Sequence, residues 1–218
     1  MLQTVIFDMD GVLLDSERLV QRAFDAAIRE TGVALDGSVY FSLIGRRHEA
    51  VHAVLAEALG GTAAAAAFYP VWRRRVGEAW AAADPFPVKP GAREALERLQ
   101  AAGLRLALAT STEAQKARGE LTTAGLLPFF ESCTFGSEVE HGKPDPAIYL
   151  KALERLDLPP EACLAVEDSP NGIRAGHAAG LRMLWIPDLA PMEPDAEAMI
   201  WQTCPDLGQA VDTILPCR

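Results

Sequence analysis

From residue 91 onward the chain repeats one alternation: a short apolar run, then a stretch with helical spacing. The apolar runs fall at 104–109, 132–135, 163–166 and 182–186, and the helical patterns at 93–101, 115–123, 147–156, 171–179 and 207–214. The short runs lack the polar alternation of a half-exposed strand, so they read as strands buried on both faces. Strands separated by helices pair in parallel, because a crossover of that length returns the chain in the same direction. Residues 2–7 form another such run, broken by Asp8, and join the same sheet. The predicted fold class is therefore α/β, a Rossmann-like parallel sheet with helices on both faces.

Between the first strand and the rest lies a block with helical signals alone. Apolar residues recur at Leu19, Val20, Ala23, Phe24, Ala27 and Ile28, with Ser16 placed to cap this helix and Gly32 to end it. A second helix is expected over 49–59, stopped by Gly60-Gly61, then an alanine-rich stretch at 63–67 and a further helix over 68–83. Pro85, Pro87 and Pro90 mark 84–91 as a linker, since proline is excluded from helix interiors. The expected organisation is an α/β core made of 1–15 and 84–218, with an all-helical domain of 16–83 inserted into it.

A formal net charge of -10 argues against nucleic acid as a partner, because phosphate backbones are held by clustered Lys and Arg. It leaves room for a small phosphorylated ligand, which a local basic pocket or a metal ion can bind. The four cysteines, Cys133, Cys163, Cys204 and Cys217, lack metal-ligand spacing and read as free thiols of a reducing compartment. The first residues lack the basic flank and long apolar stretch of a signal peptide, and no apolar run reaches membrane-spanning length. A cytoplasmic monomer with no membrane partner is the expectation.

Ligands of a doubly wound sheet bind beyond the carboxyl ends of its strands, so the residues following each strand carry the functional reading. Asp8 and Asp10 follow the first strand. Thr110, Ser111 and Thr112 follow the second, Lys143 ends the loop after the third, and Glu167, Asp168 and Ser169 follow the fourth. Several carboxylates at one edge repel each other unless a hard divalent cation is among them, and Mg²⁺ prefers a few carboxylates with substrate oxygens. The lysine and the hydroxyls remain as donors to a phosphate. Helix capping is the competing reading; it accounts for Ser169 and Thr112 but not for Glu167, an acid directly after a buried strand.

These segments resemble the haloacid dehalogenase superfamily. Phe-Asp-Met-Asp-Gly-Val-Leu at 7–13 is similar to its first motif, Leu-Ala-Thr at 108–110 to the second, Gly-Lys-Pro-Asp-Pro at 142–146 to the third and Val-Glu-Asp-Ser-Pro-Asn-Gly at 166–172 to the fourth. The resemblance implies a phosphoric monoester hydrolase that uses Mg²⁺. It implies Asp8 as nucleophile and metal ligand, Asp10 as general acid/base with its backbone carbonyl on the metal, and Thr110 and Lys143 on the transferring phosphoryl group. Asp168 then binds the metal, and Glu167 binds it or orients its waters. The helical insertion resembles a cap domain that closes on the site, in the subgroup of β-phosphoglucomutase and the phosphoglycolate phosphatases.

Within that subgroup, a phosphonate-cleaving enzyme needs a cap lysine, and none stands between Ser16 and Val88. A mutase carries a histidine where Leu19 or Val20 stands here. The reading is therefore a phosphatase of a small phosphorylated sugar, polyol or hydroxy acid, with a sugar phosphomutase as the alternative. A catalytically silent binding module is the competing class, opposed by the complete set of six core residues. Ser111 and the basic turn Gly45-Arg46-Arg47-His48 are the expected substrate contacts. The Arg73-Arg74-Arg75 cluster reads as a solvated helix face, because consecutive helix residues point in different directions.

Overall fold

A computed structural model describes residues 1–44, 48–83 and 86–218. The chain divides into two compact units, Met1–Leu14 with Val88–Arg218, and Asp15–Pro87. Among the described residues no single helix is long and apolar enough to cross a membrane.

The first unit is built on a six-stranded parallel sheet. Its strands are β1 (Thr4–Phe7), β2 (Arg105–Thr110), β3 (Ser132–Phe135), β4 (Cys163–Glu167), β5 (Arg182–Trp185) and β6 (Ile200–Thr203), in the order β3-β2-β1-β4-β5-β6. β1 and β4 are buried along their whole length, which is why their sequences are apolar without alternation. The chain builds outward from β1 to β2 and β3, then returns across β1 to β4, so the order reverses between β1 and β4. That reversal is the crevice where such sheets take ligands. Thr4 pairs with Arg105 on one side and Cys163 on the other. One residue beyond β1, the same register sets Asp8 between Ala109 and Glu167.

Helices of this unit are α4 (Ala92–Ala101), α5 (Ala114–Thr123), α6 (Ala147–Leu156), α7 (Pro170–Ala178), the short α8 (Pro194–Glu197) and α9 (Leu207–Ile214). α6 buries Ile148, Tyr149, Ala152, Leu153 and Leu156, a stripe at helical spacing, into a cluster with Ile6, Ala107 and Ala165 of the sheet. The strands read from sequence agree with these to within two residues. β6 escaped that reading because it is an edge strand with mostly exposed residues and no apolar run. The four cysteines are free thiols.

The second unit contains α1 (Ser16–Thr31), α2 (His48–Ala58) and α3 (Thr62–Ala81). α1 turns Leu19, Ala23, Phe24 and Ala27 inward, and Gly32 closes it in the left-handed conformation with its N–H on the Ile28 carbonyl. Phe24 is the hub of the unit's core, with ring centroids 5.0 Å from Trp72, 5.4 Å from Phe68 and 5.7 Å from Tyr40. Two sequence expectations are corrected here. Ser16 does not cap α1; it is the first helical residue, buried, and Asp15 holds the cap position with its carboxylate on Arg18 at 2.7 Å. The alanine-rich stretch and the helix after it form one helix with Pro70 inside. Proline leaves the carbonyl four residues earlier, that of Ala66, without its N–H partner, and both Pro70 and Ala66 are exposed residues. Arg74 and Arg75 pair with Glu30 and Glu78 on the exposed surface of this unit.

Candidate active site

The carboxyl ends of β1, β2 and β4 and the loop after β3 meet at one edge. Asp8, Thr110, Lys143, Glu167 and Asp168 are all buried there, and Asp10 is half-buried. The Lys143 ammonium bridges the strands: it donates to Asp8 Oδ1 at 2.5 Å, to Glu167 Oε1 at 2.6 Å and to the Ala109 carbonyl at 3.1 Å. Burial alone would lower the Lys143 ammonium, but the Asp8 and Glu167 carboxylates outweigh it and hold the group well above its ordinary value. Burial pushes the Asp8 carboxyl up to about 8, against the downward pull of Lys143 and with added repulsion from Glu167 and Asp10.

Glu167 is enclosed by donors. Oε1 accepts from Lys143 and from the Tyr149 hydroxyl at 2.7 Å; Oε2 accepts from the backbone N–H of Asp168 at 3.1 Å and from Ser169. A Cβ on Gly172 would lie 2.0 Å from its carboxyl, so the absence of a side chain there lets α7 pass over the acid. Ser169 caps α7 by accepting the Gly172 N–H at 3.1 Å. Asp168 packs against the loop after β1 in the same way. A Cβ on Gly11 would lie 2.0 Å from Asp168 Oδ2, and Gly11 has φ +80° besides. Gly172 thus seats Glu167 beneath its own helix, and Gly11 permits the close approach of the fourth segment to the first.

Asp8, Glu167 and Asp168 each present a carboxylate oxygen within 4.8 Å of the others. This all-oxygen donor set fits a hard divalent cation. The Asp10 carboxylate is not in that group; its Oδ2 accepts from the Thr112 hydroxyl at 2.8 Å. The Thr110 hydroxyl oxygen accepts the Thr112 N–H at 3.0 Å. Ser111 is exposed. Gly45, Arg46 and Arg47 lie outside the described residues, as does the His48 side chain, although His48 opens α2.

Thr112 is not the cap of α5. Glu113 is, accepting the Gln115 N–H at 3.2 Å, which leaves the Thr112 hydroxyl to Asp10. Tyr149 was not singled out from sequence. Its signal was a tyrosine on the apolar stripe of α6, where a buried hydroxyl needs a partner. Burial first, then the Glu167 carboxylate, raise its phenol well above the ordinary value, so it stays a donor. The ring also lies 5.1 Å from the Lys143 ammonium.

A buried lysine-bridged acid centre at the reversal of a parallel sheet, with a further acid and hydroxyls at its rim, suits transfer of an anionic group. The chain belongs to the haloacid dehalogenase-like hydrolases, whose family model matches residues 2–180. It is an enzyme of the phosphatase type within that family. It is similar to the phosphorylated carbohydrates phosphatase of Thermotoga maritima, 35% identical over 186 residues that cover 84% of each chain. It is also similar to the protein CbbY of Rhodobacter capsulatus, 33% identical over 224 residues covering 99% of this chain and 98% of that one. Among solved structures, a CbbY variant from Rhodobacter sphaeroides in complex with xylulose-(1,5)bisphosphate superposes with a TM-score of 0.77 at 28% identity, over 96% of each chain.

Proposed function

We propose that this chain is a magnesium-dependent phosphatase of a small phosphorylated sugar or polyol, working through an aspartyl-phosphate on Asp8. The observation that carries the reading is the pair of Asp8 and Lys143, buried together at the reversal of the sheet. The Asp8 carboxylate attacks phosphorus and releases the substrate hydroxyl; water then attacks the aspartyl-phosphate and releases phosphate. Asp10 protonates the leaving oxygen in the first step and takes the proton of the attacking water in the second. Lys143 favours the ionised form of Asp8 and faces the charge that builds on the phosphoryl oxygens, while Thr110 donates its hydroxyl to the same group.

Asp8 and Asp168 are the proposed carboxylate ligands of Mg²⁺, with the Asp10 backbone carbonyl. When bound, the cation supplies positive charge that offsets the crowded carboxylates and the phosphate. Glu167, with both oxygens taken by protein donors, is assigned to hold Lys143, Tyr149 and the Asp168 backbone in place. The helical unit is proposed as a cap that chooses the substrate, with Arg46, Arg47 and His48 as contacts to it and Ser111 as a contact from the core. The sugar phosphate class is supported by the activity for which the Thermotoga maritima relative is named and by the ligand of the CbbY variant. Leu19 and Val20 offer no imidazole to a second sugar, which favours water as acceptor.

The experiment follows free phosphate from a panel of phosphorylated sugars and polyols in Mg²⁺, with and without EDTA, for the native chain and Asp8→Asn. Turnover should fall at least about a thousandfold in the variant, a barrier rise of roughly 4 kcal/mol. A covalent phosphate adduct in Asp8→Asn would assign the nucleophile elsewhere. Conversion of β-glucose 1-phosphate to glucose 6-phosphate with almost no free phosphate would replace hydrolysis by mutase chemistry.

A further inference from the structure

The Thr112 side chain is not spent on its helix, and it touches the acid/base residue. Its hydroxyl donates to Asp10 Oδ2 at 2.8 Å, while its own N–H donates to Thr110 Oγ1 at 3.0 Å. We infer that Thr112 is a positioning residue that sets the rotation of the Asp10 carboxylate and the hydroxyl direction of Thr110 together; this rests on the acid/base reading of Asp10.

The backbone around Thr112 is fixed from the neighbouring strand. The Thr112 carbonyl accepts the N–H of Gly136, on the turn leaving β3, at 3.1 Å. A Cβ on Gly136 would lie 2.1 Å from the Ser111 carbonyl oxygen, so this turn is seated against the loop. The Ala114 N–H donates to Ser137 Oγ at 3.3 Å. The hydroxyl of Thr112 therefore projects from a loop tied on both sides.

The consequence for chemistry is geometric. A carboxylate on a short side chain rotates, and proton transfer needs it within hydrogen-bond reach of the moving proton. A fixed donor on one oxygen removes that rotation before substrate arrives. The Thr112 N–H occupies an acceptor position of Thr110 Oγ1, which turns the Thr110 proton outward as a donor. One residue thus orients a group for each half of the reaction, the phosphoryl contact and the proton carrier.

The test compares Thr112→Val, which keeps shape and backbone, with Thr112→Ser, which restores the hydroxyl. With an activated aryl phosphate the leaving group needs little protonation, whereas hydrolysis of the aspartyl-phosphate still needs a base. Thr112→Val should keep the burst and lose about ten- to a hundredfold in the steady rate, part of the roughly hundred- to ten-thousandfold that a general base contributes. Its Mg²⁺ requirement should match the native chain, and Thr112→Ser should return to within about threefold of the native rate by the same reasoning. Asp10→Asn, run alongside, should show the same split more strongly; if it shows none, the acid/base reading of Asp10 fails and the inference falls with it. If Asp10→Asn shows the split and Thr112→Val turns over like the native chain, the inference alone is overturned. Equal loss of burst and steady rate in Thr112→Val, or a serine variant as slow as the valine one, overturns it too.

Discussion

Lys143→Met tests the electrostatic core of the site without reference to any substrate. The ammonium lies 2.5 Å from Asp8 and 2.6 Å from Glu167, with side-chain exposures of 5%, 9% and 0% for the three groups. Methionine keeps the apolar stem and removes the charge. Taking one partner from a buried ion pair costs about 3–5 kcal/mol, because a charge is left without compensation. The pH dependence follows from Asp8. Its carboxyl is raised from 3.8 to about 8, so the folded chain holds a proton that the unfolded chain releases in the ordinary carboxylate range. This group therefore favours folding less with each rise in pH until the folded value is passed.

Without a cation in the site, Asp8 holds its proton at about pH 6.5 with or without Lys143, and the variant's deficit comes from Glu167, at the lower end, about 3 kcal/mol. At about pH 9 the native Asp8 has ionised against Lys143, but the variant offers no cation to ionise against. That adds about 1.4 kcal/mol for each pH unit above the native value. The deficit should thus grow to about 4–5 kcal/mol. Urea titrations in EDTA at the two pH values measure both numbers. A deficit under about 1 kcal/mol at either pH, or one that shrinks as pH rises, would refute the assignment of Lys143 as the counter-charge of this centre.

Tyr149→Phe removes the hydroxyl from Glu167 Oε1 but leaves Lys143 on that oxygen, so stability should fall by about 1–2 kcal/mol; because Glu167 in turn holds the backbone of the proposed ligand Asp168, the Mg²⁺ requirement should rise by up to about tenfold. Thermal midpoints and metal titrations check the two parts, and a variant identical to the native chain in both would show that the phenol is packing alone. Gly172→Ala puts a methyl group 2.0 Å from the Glu167 carboxyl, and the acid must leave its place for α7 to form. Activity should fall at least about tenfold and stability by about 2 kcal/mol or more; a variant with native kinetics would show that the position of Glu167 is immaterial.

The sheet was legible because both faces of β1, β2 and β4 are covered, and burial on two faces writes itself as uninterrupted apolar sequence. β6 was not, because an edge strand with three exposed residues has no such pattern to display. The end of α1 was legible in Gly32, whose left-handed conformation closes the helix, whereas its start was misplaced by one residue: Asp15 and Ser16 are both favoured caps, and it is Asp15 that holds the cap position. The alanine-rich stretch 63–67 was set apart from the helix at 68–83 because five like residues show no apolar periodicity, although alanine is the best helix former and α3 runs through both.

The core site residues were legible for a different reason. Acids, a lysine and hydroxyls directly after buried strands have no role in packing, and the topology of a parallel sheet gathers strand ends at one edge. What sequence order does not carry is which oxygen faces which donor. Glu167 and Asp168 are adjacent in the chain and both buried, yet one is wrapped by Lys143, Tyr149 and Ser169 while the other lies against Gly11. The same holds for Thr110 and Thr112, one taking an N–H and the other giving its hydroxyl to Asp10. Alternation along an extended segment turns Glu167 and Asp168 toward different surroundings, whereas Thr110 ends β2 and Thr112 lies in the bend beyond it, so residues of like type divide into those that hold the site and those that meet the ligand. Tyr149 belongs to the first kind, and it comes from a helix rather than a strand end. A search for such residues should therefore look for polar tips on apolar helix stripes as well as for polar residues at strand ends.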